Sequence, residues 1–128
     1  MKYILDTHAL IWFLSGDPQL STRARYLMDD SANELLISVA SLWEMAVKVS
    51  IGKLNLNQPF EKLFPEQLEN NSIEILGITI DHLNAACNLP FHHRDPFDRL
   101  IIAQAEIEQM SFIGADTIFD RYGVQRHW

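Results

Sequence analysis

Residues 2–16 read KYILDTHALIWFLSG, and the change of pattern at Asp6 decides the fold. Before it, KYIL is a short apolar run of the β kind; after it, HALIWFLSG has helical apolar spacing until GDP stops it. A strand passes into a helix with a carboxylate at the junction. The alternation then repeats along the chain. STRARYLMDD predicts a helix capped by Ser21, with Ala24, Leu27 and Met28 on one face, and SAN loops into ELLIS, a second strand. VASLWEMAVKVSIGKL predicts a helix capped by Ser41 and ended by Gly52. QPFEKLFPEQLENN predicts one or two short helices broken at Pro65, and IEILGI a third strand. TIDHLNAACNLP predicts a helix capped by Thr79 and closed by Pro90, and DPFDRLIIAQAEIEQM a long helix. SFIGAD predicts a fourth strand ending in another carboxylate, and YGVQRH a short last edge strand. Strands alternating with helices call for right-handed crossovers, so the expected class is α/β, with a mainly parallel sheet covered on both faces.

The 128 residues, 48% of them hydrophobic, suffice for one sizeable core, so a single domain over 1–128 is expected. Charged residues are 21% of the chain and no repeat or low-complexity tract is present, which excludes disordered and fibrous classes. The one cysteine, Cys87, lies in the apolar-looking LNAACNLP without a catalytic-cysteine signature, and it predicts a buried thiol in a reducing compartment. No signal peptide precedes the first strand and no stretch is long enough to span a membrane, so a cytoplasmic protein is expected. A net charge of −7 argues against coating nucleic acid through a broad basic surface. Local cations remain, at His92, His93, Arg94 and Arg99 and at Arg121, Arg126 and His127.

Open parallel sheets bind ligands beyond the carboxyl ends of their strands. Four acids fall there: Asp6 after the first strand, Glu44 on the helix after the second, Asp98 in the first turn of the long helix, and Asp116 after SFIGA. Each has a plainer reading. Asp6 and Asp116 can cap the turns that follow them, and Glu44 can pair with Lys48 four residues on. The apolar neighbours Leu42, Trp43, Met45, Ala46 and Val47 leave Glu44 either a narrow solvent stripe or a cleft. In DPFD, Asp95 is the better N-cap because Pro96 follows at the position a helix tolerates, while Asp98 takes the third helical position, favoured by the macrodipole.

If the four acids converge, each close pair repels by on the order of 4 kcal/mol at an effective dielectric near 20, so the cluster must take up protons or cations. All-oxygen ligands favour Mg²⁺ or Mn²⁺, with positions left for phosphate and water. Such a site suits hydrolysis of a phosphodiester without a side-chain nucleophile.

With these positions in view, LDTHALIW followed by SGDPQLS, ISVASLWEMAVKVSIGKL, FHHRDPFDRLIIAQA and FIGADTIFDRYG together resemble the PIN-domain nucleases, in particular the VapC-like toxins of toxin–antitoxin pairs. The similarity covers nearly the whole chain. It implies a three-layer α/β/α sandwich and makes Asp6, Glu44, Asp98 and Asp116 the acidic, metal-binding and catalytic quartet. Asp95 then stands behind the quartet as well as capping its helix, and Thr7 and Thr117, each following a quartet aspartate, are candidates to orient water or phosphate. The resemblance further implies Mg²⁺- or Mn²⁺-dependent endoribonuclease activity, a homodimer, and inhibition by a small antitoxin near the acidic site. Trp12, Phe13, Phe60 and Phe64 are candidates for that contact, against the plainer reading of core packing. With so acidic a chain, RNA recognition is expected to rest on the metal and a few cations, Arg94 and Arg99 among them.

Rival readings are a receiver-like Mg²⁺-binding signalling domain, a catalytically silent module of the same fold, and a PIN nuclease of RNA processing. Against the receiver, Asp6 has no adjacent acid and no lysine follows Lys62. Against the silent module, all four acids are present.

Overall fold

A computed structural model describes residues 1–128. Its elements are β1 (Lys2–Leu5), α1 (Thr7–Ser15), α2 (Thr22–Asp29), β2 (Glu34–Ser38), α3 (Val39–Ser50), α4 (Phe60–Leu63), α5 (Glu66–Asn70), β3 (Ile73–Leu76), α6 (Ile80–Cys87), α7 (Pro96–Glu108), β4 (Ser111–Ile113) and β5 (Arg126–His127), with a 3₁₀ turn at Thr117–Tyr122. The five strands form one sheet in the order β3-β2-β1-β4-β5, and every pairing is parallel. Tyr3 stands opposite both Leu35 and Ser111, so β1 is the centre of the sheet.

The period of two in β1 sorts its side chains between two cores. Tyr3 and Leu5 join Leu35, Ile37 and Ile113 under α1, α2 and α5, where Leu10, Ala24, Met28 and Leu68 are buried. Ile4 joins Leu36 and Phe112 on the other face, against Ile101, Ile102 and Ala105 of α7. Strand interiors apolar on both faces are what a sheet covered on both sides requires. The result is the expected α/β/α sandwich.

Most caps follow the sequence. Ser21 accepts from the Ala24 N–H at 3.0 Å, and Asp95 from the Phe97 and Asp98 N–H groups at 2.9 and 3.1 Å. Gly16 takes φ 66° and ends α1. Two expectations are corrected. Ser38, not Ser41, caps α3, its hydroxyl accepting from Ala40 N–H at 3.0 Å, so the helix starts one turn earlier and Ser41 is buried inside it. Cys87 is exposed instead of buried, because α6 lies on the outside of the molecule and turns Ile80, Leu83 and Cys87 to solvent while His82 faces inward.

Helices α6 and α7 pack antiparallel. His82, near the start of α6, meets Glu108 at the end of α7, and Arg99, near the start of α7, reaches the carbonyls of Ala86, Leu89 and Pro90 at the end of α6. The α6–α7 loop therefore lies at the same end of the molecule as the first turn of α7.

Candidate active site

The chain builds β1, β2 and β3 outward in one direction, then crosses over to place β4 on the other side of β1. At such a reversal the loops leaving the two neighbouring strands separate and leave a crevice. Asp6 leaves β1 at this point, and its N–H donates to Ile113 O of β4 at 2.9 Å, fixing the crevice floor. Its carboxylate accepts from the His8 N–H at 3.1 Å, so Asp6 does cap α1 as well as face the crevice. Asp116, beyond β4, accepts from Ile118 N–H at 3.0 Å and caps the 3₁₀ turn.

Glu44 resolves in favour of the cleft, since it is only 7% exposed. Thr7 donates its hydroxyl to Glu44 Oε1 at 2.8 Å, and Lys48 Nζ donates to Oε2 at 2.8 Å. The helical salt pair and the buried acid are thus one arrangement. Asp98 is partly buried, with its side chain 17% exposed.

The electrostatics tie these acids together. The Asp98 carboxyl is pushed from 3.8 up to about 7, first by burial and then by the charges of Asp95, Asp6, Glu44 and Asp116. Burial likewise raises Asp6, with Glu44 adding to the rise and His8 opposing it. Lys48 is raised, chiefly by its hydrogen bond to Glu44 and further by the charges of Asp95 and Asp98. Five acids and one ammonium therefore share a single field. As the side chains stand, no three His, Cys, Asp or Glu groups come close enough together to grip one ion. Each carboxylate is instead turned to a partner of its own: Asp6 to the His8 amide, Glu44 to Thr7 and Lys48, Asp116 to the Ile118 amide. The donor set fits a hard divalent cation by its chemistry, being all carboxylate oxygen and short of positive charge, and closing on one ion requires side-chain rotation.

The other candidates divide. Thr7 is committed to Glu44, whereas Thr117 is exposed at the start of the 3₁₀ turn. Arg99 spends its guanidinium on the carbonyls of Pro90, Ala86 and Leu89 at 3.0, 3.3 and 3.4 Å and lies 4.3 Å over the Phe91 ring, while Arg94 is exposed. His92 and His93 both donate backbone N–H groups to the Tyr122 hydroxyl at 3.2 Å. Of the C-terminal cations, Arg126 is paired with Asp120 at 3.0 Å and His127 with Arg23 at 3.0 Å. Among the aromatic candidates, Phe64 is buried in the core, Phe13 and Phe60 pack against it, and Trp12 lines a groove of about 290 Å³ with His8, Ile11, Leu54 and Leu63.

Three residues at the site escaped the sequence reading. Lys48 was read only as a surface partner. Tyr122 carried no signal at all. Gly114 closes the crevice, since a Cβ there would lie 2.8 Å from Asp6 Cβ and 2.4 Å from the Phe112 ring. Its one trace in sequence is a glycine between a strand and an acid, in FIGAD.

The fold is shared with known proteins. The VapBC2 complex of Rickettsia felis, solved bound to a DNA fragment from its promoter, has a chain that matches at a TM-score of 0.72 and 17% identity, over 99% of this chain and 98% of that one. The FitAcB structure from Neisseria gonorrhoeae matches at a TM-score of 0.66 and 18% identity, over 98% of this chain and 96% of that one. At these identities the likeness is one of fold. Ribonuclease VapC16 of Mycobacterium tuberculosis is 32% identical over 73 residues, which are 57% of this chain and 49% of that protein, so the match spans about half the length of that relative. The PIN domain family matches residues 3–125, nearly the entire chain, and the protein belongs to that family.

Proposed function

We propose that residues 1–128 act as one domain, a metal-dependent endoribonuclease and the toxin of a toxin–antitoxin pair, working in the cytoplasm. The observation that carries the reading is Asp98, whose carboxyl sits near 7 because burial and four neighbouring acids oppose its charge. A fold holds such a group against its own stability where the charge has a use. Asp6, Glu44, Asp98 and Asp116 would hold Mg²⁺ or Mn²⁺, with Asp95 behind Asp98. Bound there, a divalent cation offsets the acids' charge and supplies the Lewis acidity for water to attack a phosphodiester. The chain's own residues do the remainder. In the cation-free chain Thr7 and Lys48 hold Glu44 and the amide of His8 holds Asp6 at the crevice, from which the carboxylates would rotate to share an ion, and the crevice between β1 and β4 would admit the RNA backbone. Arg94, and Thr117 beside Asp116, are the groups placed to meet phosphate, since Arg99 is bound to carbonyls.

Two surfaces support the partners. The groove beside α1 begins at His8, next to Asp6, and its apolar wall of Ile11, Trp12, Leu54 and Leu63 suits an antitoxin segment running toward the acids. The outer face of α3 leaves Val39, Trp43, Val47 and Ile51 exposed in one stripe, with Trp43 63% exposed, and suits a second copy of the chain. The relatives named above support the toxin role over RNA processing. The test is cleavage of a mixed RNA substrate with Mn²⁺ by the wild-type protein and by Asp6→Asn: the variant is expected to be inert, and equal cleavage would refute the assignment.

A further inference from the structure

The loop between α6 and α7 converges on a single hydroxyl. Tyr122 Oη accepts from the backbone N–H of His92 and of His93 at 3.2 Å each, has Arg99 Nη1 at 3.4 Å, and lies 2.7 Å from His93 Nδ1. The two amides and the guanidinium can only donate, and a hydroxyl oxygen offers two lone pairs. The oxygen is therefore fully occupied as an acceptor. Its own proton has one acceptor beside it, His93 Nδ1. That donation sets the tautomer of the ring: Nδ1 takes a proton from tyrosine and Nε2 carries the ring hydrogen.

Nε2 is buried without a hydrogen-bond partner and lies 3.5 Å from Asp98 Oδ2. The ring is kept in place from both sides, by Tyr122 and by the anchoring of the loop through Arg99, which bonds Pro90 O and Leu89 O and stacks on Phe91. A buried ring nitrogen with nothing to bond, 3.5 Å from a carboxylate oxygen, is a contact ready to close when that carboxylate turns.

We propose that His93 is a positioning residue of the acidic site, its Nε2–H set by Tyr122 to fix the Asp98 carboxylate through Oδ2 and leave the other oxygen for the cation. The inference rests on the reading of Asp98 as a cation ligand. It gives Asp98 what Thr7 gives Glu44, a donor from another element that fixes orientation. It also ties the 3₁₀ turn after Asp116 to the loop that leads into α7. Donors behind metal-binding carboxylates and histidines commonly govern affinity in this way.

The test uses the full chain and Mn²⁺ alone. Calorimetric titration of wild type, His93→Leu, His93→Gln and Tyr122→Phe reads the affinity, which Tyr122→Phe should also weaken, and ¹⁵N–¹H spectra of the His93 ring in wild type and Tyr122→Phe read the tautomer. His93→Leu is expected to weaken Mn²⁺ binding about 10–100-fold, and His93→Gln, which keeps an N–H near the Nε2 position, to restore most of it. The wild-type ring is expected to be the Nε2–H tautomer, and Tyr122→Phe to turn it into a mixture. Wild-type affinity in His93→Leu, or an Nδ1–H tautomer in the wild-type protein, would overturn the proposal. If His93→Leu fails to fold, the tautomer and the Tyr122→Phe titration decide. A protein that follows this series yet never cuts RNA would keep the role of His93 and lose the nuclease reading; one that cuts RNA with His93→Leu unaffected would do the reverse. Absence of Mn²⁺ binding by the wild type would overturn both.

Discussion

Helix α7 has a histidine–carboxylate pair at each end, and the two pairs behave oppositely. At its C-terminal end, the wholly buried His82 meets Glu108 at 2.8 Å through Nε2 and accepts the Thr79 N–H at 3.0 Å through Nδ1. Both ring nitrogens are bonded, and Glu108 reaches water with 37% of its side chain exposed. At the N-terminal end, His93 Nε2 stops 3.5 Å from Asp98, and the carboxyl is forced up to about 7. One pair fastens α6 to α7. The other stands unfinished among four further acids, in an arrangement that folding alone does not favour. Stability and chemistry should therefore respond in opposite directions at the two ends.

The largest effect is expected from Asp98→Asn, with loss of Mn²⁺-dependent RNA cleavage and a gain in stability. A carboxyl raised from 3.8 to about 7 costs the ionised fold at most about 4 kcal/mol, and about half of that after solvent screening. The sign with pH follows from proton binding. Between about 4 and 7 the folded chain keeps a proton that the unfolded chain releases, so metal-free wild type should gain stability as pH falls through that window. Urea unfolding in EDTA at pH 8 and pH 5 measures this; the gain should be smaller in Asp98→Asn, the remainder coming from Asp6, which burial also raises, and equal gains would mean Asp98 is not a strained group. Next, Gly114→Ala places a methyl against Asp6 and Phe112. It should lose about 1–3 kcal/mol together with much of the cleavage rate, read by thermal melting and by RNA assay at saturating Mn²⁺.

At the fastened end, Glu108→Ala leaves the buried His82 Nε2–H unpartnered. Denaturant titration should show about 1–3 kcal/mol lost, while cleavage per folded molecule stays at the wild-type level; a parallel fall in activity would erase the contrast between the two ends. The smallest effect is expected from Cys87→Ser. The thiol is exposed at the end of α6, so melting should move by no more than about 0.5 kcal/mol.

The order of elements, the parallel sheet and the places of the four acids at strand ends and helix starts were legible because each rests on local chemistry. Asp95-Pro96 announces a helix start whatever surrounds it, and an aspartate after KYIL or SFIGA marks the carboxyl end of a strand. What depends on neighbours distant in sequence was not legible. Ser38 and Ser41 are equally able to cap, and only the point at which β2 leaves the sheet chooses Ser38. The phase of α6 was misjudged at Cys87 because α6 exposes Ile80 and Leu83, so an apolar neighbourhood did not signify burial. His82, Tyr122 and Gly114 act through partners on other elements, and nothing beside them in the chain declares it. The Glu44–Lys48 spacing was visible, but its setting in the acidic field needed Thr7 from a separate helix.

The crossing that sets β4 beside β1 also has a meaning for biosynthesis. A nascent chain halted between residues 98 and 111 already possesses Asp6, Glu44 and Asp98, yet lacks the wall that Ile113, Gly114 and Asp116 supply. If the proposed nuclease reading holds, products interrupted before β4 should lack the cleavage activity.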